Sequence, residues 1–334
     1  MRILIISDAW QPQVNGVVVT LQMLVRELTV LGHRVEVIGP DRFRTVSMPT
    51  YRTIQLAIAP SLRLVPMIEA FQPEALHIAT EGPLGWAARR WAIRNGVSFT
   101  SSFHTRFPEY LHARARVPVA LSYALLRGFH GRAKGTMVAT GSMRQELAGR
   151  GFRNLLPWSR GVDLTRFQPG NRQEWPWPRP IFLYVGRLAV EKNLEQFLAL
   201  DLPGTKVVVG DGPRRSWLES AYPNAKFVGE RHGEALTRAY AGADVFVFPS
   251  VTDTFGLVLL EALACGTPIA AMPVTGPADV LAGAAPGVGA LDMDLGAAAM
   301  RALQGDRNAC RAHAERFSWR ACAELFCHNL TRTA

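Results

Sequence analysis

Two stretches of this chain repeat one alternation of apolar strand, loop and helix, and that repetition admits few folds. The first opens with the apolar run Ile3 to Ser7 and passes through the loop Asp8 to Gly16. It then becomes an amphipathic helix over Val17 to Leu31, closed by Gly32. Val35 to Gly39 is the next strand. Pro73 to Ile78 and Gly96 to Ser102 supply further strands, with a helix over Leu84 to Asn95 between them. Met137 to Thr140 forms a short strand before a helix that starts at Ser142. The second stretch opens at Pro180 to Gly186, and a helix begins over Asn193 to Leu200. Strands are expected at Lys206 to Gly210, Ala225 to Val228, Asp244 to Phe248 and Pro268 to Ala271. Strands alternating with helices in this way build parallel, doubly wound sheets.

The 334 residues suit two domains of about 150 residues each. The expected class is α/β, with two Rossmann-like domains and a cleft between them. Residues 1–167 form the first domain. Residues 168–180 read as a linker, because four prolines and two tryptophans fall within them. Residues 181–310 form the second domain, and 311–334 belong to a helical C-terminal segment that starts at Arg307.

Charge separates the halves. Residues 1–165 carry 20 Lys and Arg against 10 Asp and Glu, whereas 166–334 carry 17 of each. The whole excess of +10 therefore lies in the first half. Such a basic half suits nucleic acid or an anionic membrane surface, or serves solubility alone. No nucleic-acid-reading motif is recognisable, so nucleic acid is not expected as a partner. No run approaches the roughly 20 apolar residues of a membrane span. The N-terminal Met1 to Asp8 lacks a signal's long apolar segment and small-residue cleavage site, and reads as a strand and loop. Cys265, Cys310, Cys322 and Cys327 have no paired metal spacing, as expected of reduced cytosolic thiols.

The residues that carry chemistry cluster in a few loops. Asp253 and Glu261 lie eight residues apart around the start of an apolar helix. Both would lie on one side if the helix began early; the expected arrangement puts Asp253 in the loop and Glu261 in the helix. The backbone N–H groups of Phe255 and Gly256 would then seat an anion or polar ligand at the helix N-terminus. Glu261 interrupts the apolar run Leu257 to Leu263, so its carboxylate is either paired or binding something. Arg187 and Lys192 stand five apart in the loop after the first strand of the second domain, where two fixed cations can neutralise a diphosphate without a metal. Asn15-Gly16 ends the first loop, and Gly16 lets the backbone approach a phosphate. Its surroundings lack Gly-x-Gly-x-x-Gly, which counts against a dinucleotide dehydrogenase. His104 follows a strand end, where open α/β sheets bind ligands.

In this order the motifs resemble those of the glycosyltransferase 4 family, retaining enzymes of the two-Rossmann-domain (GT-B) type. The resemblance covers nearly the whole chain. It rests on Gly16, on Phe103-His104-Thr105-Arg106-Phe107-Pro108-Glu109-Tyr110, on Gly186-Arg187-Leu188 with Lys192-Asn193, on Gly210-Asp211-Gly212-Pro213, and on Asp253 with Glu261. Most members have Glu where this chain has Asp253, a carboxylate one methylene shorter. The His104 segment and Glu81-Gly82-Pro83 are nearest to members that act as α-mannosyltransferases or build glycolipids.

The resemblance implies a hexosyltransferase that uses a nucleotide-diphosphate sugar and needs neither cofactor nor metal. The donor is GDP-mannose, or a UDP-hexose or UDP-hexuronate. It implies donor contacts from Gly16, Arg187, Lys192, Gly210, Val228 near the base, and the stretch Asp253, Thr254, Phe255, Gly256 and Leu257. Glu261 is to take the ribose hydroxyls. His104, Arg187, Lys192 and Asp253 are the expected catalytic set; Asn15, Glu81 and Arg106 are acceptor candidates. The final helix is expected to cross back to the first domain.

A membrane lipid such as diacylglycerol is the expected acceptor, with the protein peripheral on the inner face of the cytoplasmic membrane. The charge asymmetry supports this, as does Ala113 to Lys134, where Arg114, Arg116, Arg127, Arg132 and Lys134 flank an apolar run. That stretch is either a lipid-docking surface helix or an ordinary core-facing one. Other readings are a soluble or polysaccharide acceptor, or a nucleotide-sugar epimerase of the same fold. Asp292-Met293-Asp294 has the Asp-x-Asp form of a metal site but lacks supporting ligands.

Overall fold

The structure, a computed structural model, describes residues 1–13, 15–48 and 51–333. The loop residue Val14 and the side chain of Arg114 lie outside that description. The chain divides into two compact units, Met1–Arg160 with Trp319–Ala334, and Gly161–Ser318.

The first unit holds β1 (Arg2–Ile6), β2 (Arg34–Ile38), β3 (Thr45–Met48), β4 (Tyr51–Ala57), β5 (Ala75–Ile78), β6 (Thr100–Phe103), β7 (Gly135–Val138) and β8 (Leu155–Pro157). Six of these form a parallel sheet in the order β2-β1-β5-β6-β7-β8. β3 and β4 pair separately as an antiparallel hairpin. Ile3 to Ile6 are wholly buried because helices cover both sheet faces, as parallel strands require. The order reverses between β1 and β5, which opens a crevice at their C-terminal ends.

The second unit repeats the plan with β9 (Ile181–Val185), β10 (Thr205–Val209), β11 (Lys226–Phe227), β12 (Val245–Phe248), β13 (Ile269–Ala271) and β14 (Gly289–Leu291). Their order is β11-β10-β9-β12-β13-β14, all parallel, with the reversal between β9 and β12.

Three stretches differ from the sequence reading. The Pro-rich residues 168–180 pack onto the second unit rather than standing free. Trp175 is buried and donates its indole N–H to Ala239 O at 3.3 Å, and Arg179 binds Asp244 at 2.7 Å. The C-terminal pattern from Arg307 is two helices, Arg307–Ala314 in the second unit and Trp319–Asn329 in the first. The latter buries Trp319, Cys322, Ala323 and Phe326. Burying a phenylalanine of this kind is worth about 2 kcal/mol, enough to hold a short helix in place. The Ala113–Lys134 stretch is also two helices, Phe107–Ala115 and Val119–His130. They part at Arg116, which takes a left-handed φ of 52°, and Pro118 follows.

Candidate active site

In the second unit, the turns that leave the strands set the geometry. β9 ends in Gly186, β10 in Gly210, and β11 leads to Gly229, all with positive φ. A Cβ on Gly210 would stand 1.9 Å from Gly186 O, so these two turns touch backbone to backbone and only glycine fits. Val228 closes the same edge, its N–H on Val208 O at 3.0 Å.

The loops after β9 and β12 meet at the sheet's reversal. Thr252 Oγ1 donates to Glu191 O at 3.2 Å, which fixes one loop to the other. Lys192 Nζ then reaches Asp253 Oδ1 at 2.6 Å. Asp253 Oδ2 is buried without a hydrogen-bond partner. Burial works to raise the Asp253 carboxyl, but the Lys192 ammonium, its hydrogen bond and the Ser250 hydroxyl outweigh it and hold the group below the usual range. Arg187 lies half-buried in the β9 loop, its carbonyl accepting the Tyr184 hydroxyl at 3.0 Å.

The helix Leu257–Ala264 follows directly. Gly256 stands at its N-cap with φ 86° and has no side chain to cap the first turn. Gly276 packs against this loop, a Cβ there falling 3.0 Å from Phe255 O. Thr254, Phe255 and Leu257 thus belong to one tightly held turn. Glu261 sits one turn into the helix, where Tyr240 donates its hydroxyl to Oε2 at 2.8 Å. Burial raises the Glu261 carboxyl, opposed by the Tyr240 hydrogen bond and the Arg166 charge. Tyr240 is wholly buried and holds the carboxylate in one place. The carboxylate is paired, and Tyr240 is the partner that the sequence reading missed; nothing in its local pattern marks it apart from a core aromatic.

The first unit brings together a different chemistry. Asn15 caps the helix Gly16–Val30, its Oδ1 accepting Val17 N and Val18 N at 3.0 Å. That accounts for two of the N–H groups expected to face a phosphate beside Gly16. At the β1–β5 reversal, Asp8 accepts Leu84 N at 2.8 Å, Gly85 N at 3.2 Å and the Thr80 hydroxyl at 2.9 Å. Asp8 therefore caps the helix Pro83–Arg94 from a neighbouring loop. Its burial outweighs these bonds and pushes its carboxyl up to about 6. The position after the first strand of a doubly wound sheet was the available signal for Asp8.

His104 lies past the end of β6, with Nε2 on Ser102 Oγ at 2.8 Å and Nδ1 facing Arg160 at 3.2 Å. Burial, with Arg160 and the rings of His77 and His130 nearby, keeps His104 well below the usual imidazole range. Glu81 accepts from His130 Nε2 at 3.0 Å, and Arg106 binds Glu146 at 2.6 Å. The three acceptor candidates, Asn15, Glu81 and Arg106, all have partners within the first unit.

The Asp-x-Asp carboxylates have local tasks. Asp292 pairs with Arg301 at 2.7 Å, and Asp294 caps the helix Leu295–Ala302. Among the described residues no cluster of His, Cys, Asp or Glu has a metal-binding arrangement. No described helix is long and apolar enough to cross a membrane.

Comparison with known proteins gives this arrangement a context. Residues 14–166 match the Glycosyltransferase Family 4 description, and residues 179–305 match Glycosyl transferases group 1. A GDP-mannose-dependent alpha-mannosyltransferase of Mycobacterium tuberculosis is 32% identical over 309 residues, which cover 84% of this chain and 81% of that one. The chain belongs to the glycosyltransferase 4 family. This glycosyltransferase is also 26% identical over 319 residues to the alpha-monoglucosyldiacylglycerol synthase of Streptococcus pneumoniae, covering 81% of this chain and 71% of the synthase. The Anabaena protein Alr3699/HepE, solved in complex with UDP-glucose, superposes with a TM-score of 0.73 at 14% identity, over 98% of each chain. The GT-B fold and the retaining hexosyltransferase class follow, and family members use nucleotide-sugar donors, generally without a metal.

Proposed function

We propose that this glycosyltransferase moves mannose from GDP-mannose to a lipid acceptor, working as a peripheral protein on an anionic membrane. The observation that carries the site assignment is the meeting of Lys192 and Asp253 at the β9–β12 reversal, beside the uncapped helix start at Gly256. In this reading Arg187 and Lys192 take the diphosphate and stabilise the charge that grows as the glycosidic bond breaks. Asp253, with the Thr254–Leu257 turn, takes the sugar hydroxyls, and Glu261 takes the ribose. His104 contributes to holding the sugar. The departing diphosphate oxygen accepts the acceptor's proton on the face where the new bond forms. The mannosyltransferase and diacylglycerol synthase relatives support the choice of donor and acceptor class.

The membrane element is the helix Val119–His130. Tyr123, Leu126 and Phe129 are core, whereas Leu121 and Leu125 are 64% and 59% exposed and lie one turn apart on the same helix. Arg116, Arg132 and Lys134 are exposed at its two ends.

A thermal-shift panel of GDP- and UDP-sugars, followed by product analysis with membrane lipid extract, tests the function. GDP-mannose should stabilise the protein and yield a mannolipid. A shift with UDP-hexoses alone would overturn the donor, a sugar on a soluble acceptor alone would overturn the acceptor, and an epimer formed without acceptor would overturn transfer itself. Replacing both Leu121 and Leu125 by Ser should weaken binding to phosphatidylglycerol vesicles about 10-fold or more. Unchanged binding removes this helix from the membrane surface.

A further inference from the structure

The first unit contains a buried line of polar side chains whose direction is fixed at one end. Arg160 is 4% exposed, and among the described residues it is paired with no carboxylate. Its NH1 donates to Trp158 O and Ser159 O at 3.0 Å each, its guanidinium lies 4.2 Å above the Trp158 ring, and its NH2 stands 3.2 Å from His104 Nδ1. A guanidinium has donors only. His104 Nδ1 must therefore be the acceptor, which leaves the ring's single proton on Nε2. That nitrogen is 2.8 Å from Ser102 Oγ and donates to it. Ser102 in turn is 3.0 Å from His77 Nε2 and 3.3 Å from Ala79 O. The single Ser102 hydrogen serves one of these two, and His77 Nδ1 stands 2.9 Å from Thr100 Oγ1. From Arg160 through His104 to Ser102 every donor points away from Arg160, so each bond polarises the next.

We propose that Arg160 is a positioning residue that locks His104 as a neutral ring with its proton on Nε2. The consequence for transfer rests on the reading of His104 given above. A ring whose two nitrogens are committed to Arg160 and Ser102 holds the sugar by shape and polarity and shuttles no proton. Proton acceptance is left to the departing diphosphate. The surroundings enforce the neutral form. Arg160 stays charged even though burial lowers it to about 10, and it repels a second cation. His77 and His130 add to this from the elements packed beside His104, while Glu81 is turned to His130 and Cys322 lies nearest Arg160.

The test is nitrogen-detected NMR of histidine-labelled full-length protein, with His104 assigned from His104→Gln. The wild type should show the Nε2–H tautomer and no titration of His104 down to about pH 5.5, a full unit below the ordinary imidazole value. Arg160→Met should bring a mixture of tautomers and raise the His104 titration above its wild-type position, with burial still holding it below that ordinary value, and should move the acid limb of kcat/KM with it. Arg160→Lys, which keeps a charged donor, should restore both. A wild-type proton on Nδ1, or a His104 signal indifferent to Arg160→Met, overturns the proposal. Should Arg160→Met not fold, Ser102→Ala decides. The proton stays on Nε2 if Arg160 fixes it and moves to Nδ1 if Ser102 did. The tautomer is read without donor or acceptor, so a failed mannosyl assay sinks the functional reading and leaves this assignment standing.

Discussion

The two units share a sheet plan, a parallel six-stranded order with one reversal, yet they fill the ends of their strands with opposite chemistry. At the β9–β12 reversal the second unit brings up charge: Lys192 on Asp253, Arg187 in the same loop, Glu261 on Tyr240. The first unit buries neutral polar groups within the sheet itself, with His77 on β5 and Thr100, Ser101 and Ser102 on β6. His130 completes a second line from Ser101 at 2.9 Å to Glu81 at 3.0 Å. One topology thus supports two devices. Loop charges such as Lys192 and Asp253 can rearrange around an anion, because their backbones are held and their side chains keep 21% and 19% of their surface exposed. Side chains inside the sheet cannot rearrange without leaving buried partners unpaired, so they fix geometry instead.

The sharpest way to break this contrast is to remove the charge. If each cation acts on charge that grows only in the transition state, as proposed above, Arg187→Ala and Lys192→Ala should each lower kcat roughly 100-fold or more. Steady-state assays with GDP-mannose and lipid acceptor read this directly. Turnover near wild type in both variants would mean that the second unit's charges are structural, and the distinction between the units would fail.

The sequence marked the second unit's candidate site more clearly than the first's, for a physical reason. Charges in loops next to glycine turns have few structural uses, so Arg187, Lys192 and Asp253 stood out by spacing and neighbours. A buried Ser, Thr or His inside a strand reads like any other strand residue. The line from Arg160 to Thr100 draws on three separate segments, which no local pattern joins. Tyr240 and Asp8 were hidden in the same way, one as a helix aromatic and the other as a loop acid. Most strands were legible from apolar runs bounded by glycine. The β3–β4 hairpin, β8 and β14 were not, since a three-residue strand such as Leu155–Pro157 is too short to show periodicity. The helix from Arg307 was read through a break because its apolar spacing continues across residues 315–318, where the chain passes from one unit to the other.

The buried histidines make the first unit sensitive to mild acid. His77 is held near 3 in the fold against 6.5 when unfolded, and His104 is lowered in the same sense. Below 6.5 the unfolded chain therefore binds more protons, and stability falls by about 1.4 kcal/mol per pH unit for each such ring. Asp8 works the other way. It is raised to about 6 from 3.8, so the folded state takes its proton first and regains stability as pH falls through 6. The lowered rings outweigh the raised carboxyl, so stability declines between pH 7 and pH 5.5. Denaturant titrations across that range should show it, and Asp8→Asn should make the decline steeper. A wild-type stability that is flat from pH 7 to 5.5 would mean that these rings are not held neutral.

The smallest expected effect lies in the second unit, where Glu261 depends on a buried neutral group. Tyr240→Phe deletes a hydroxyl and keeps the ring, which packs edge-on to Phe167 and Phe246 at centroid distances of 6.0 Å and 5.6 Å. The lost bond to Glu261 is one to an ionised acceptor, worth about 1.5 to 3 kcal/mol, of which a part falls on the donor. If Glu261 takes the ribose and Tyr240 only holds it in place, the cost falls on donor binding. KM for GDP-mannose should rise roughly 5- to 10-fold, with kcat within about twofold of wild type. The 2′-deoxy donor, with one hydroxyl fewer to offer Glu261, should lose less from the substitution. A fall in kcat with KM unchanged would instead place the pair on the transition state, and the second unit would then do with Tyr240 and Glu261 what is assigned here to Arg187 and Lys192.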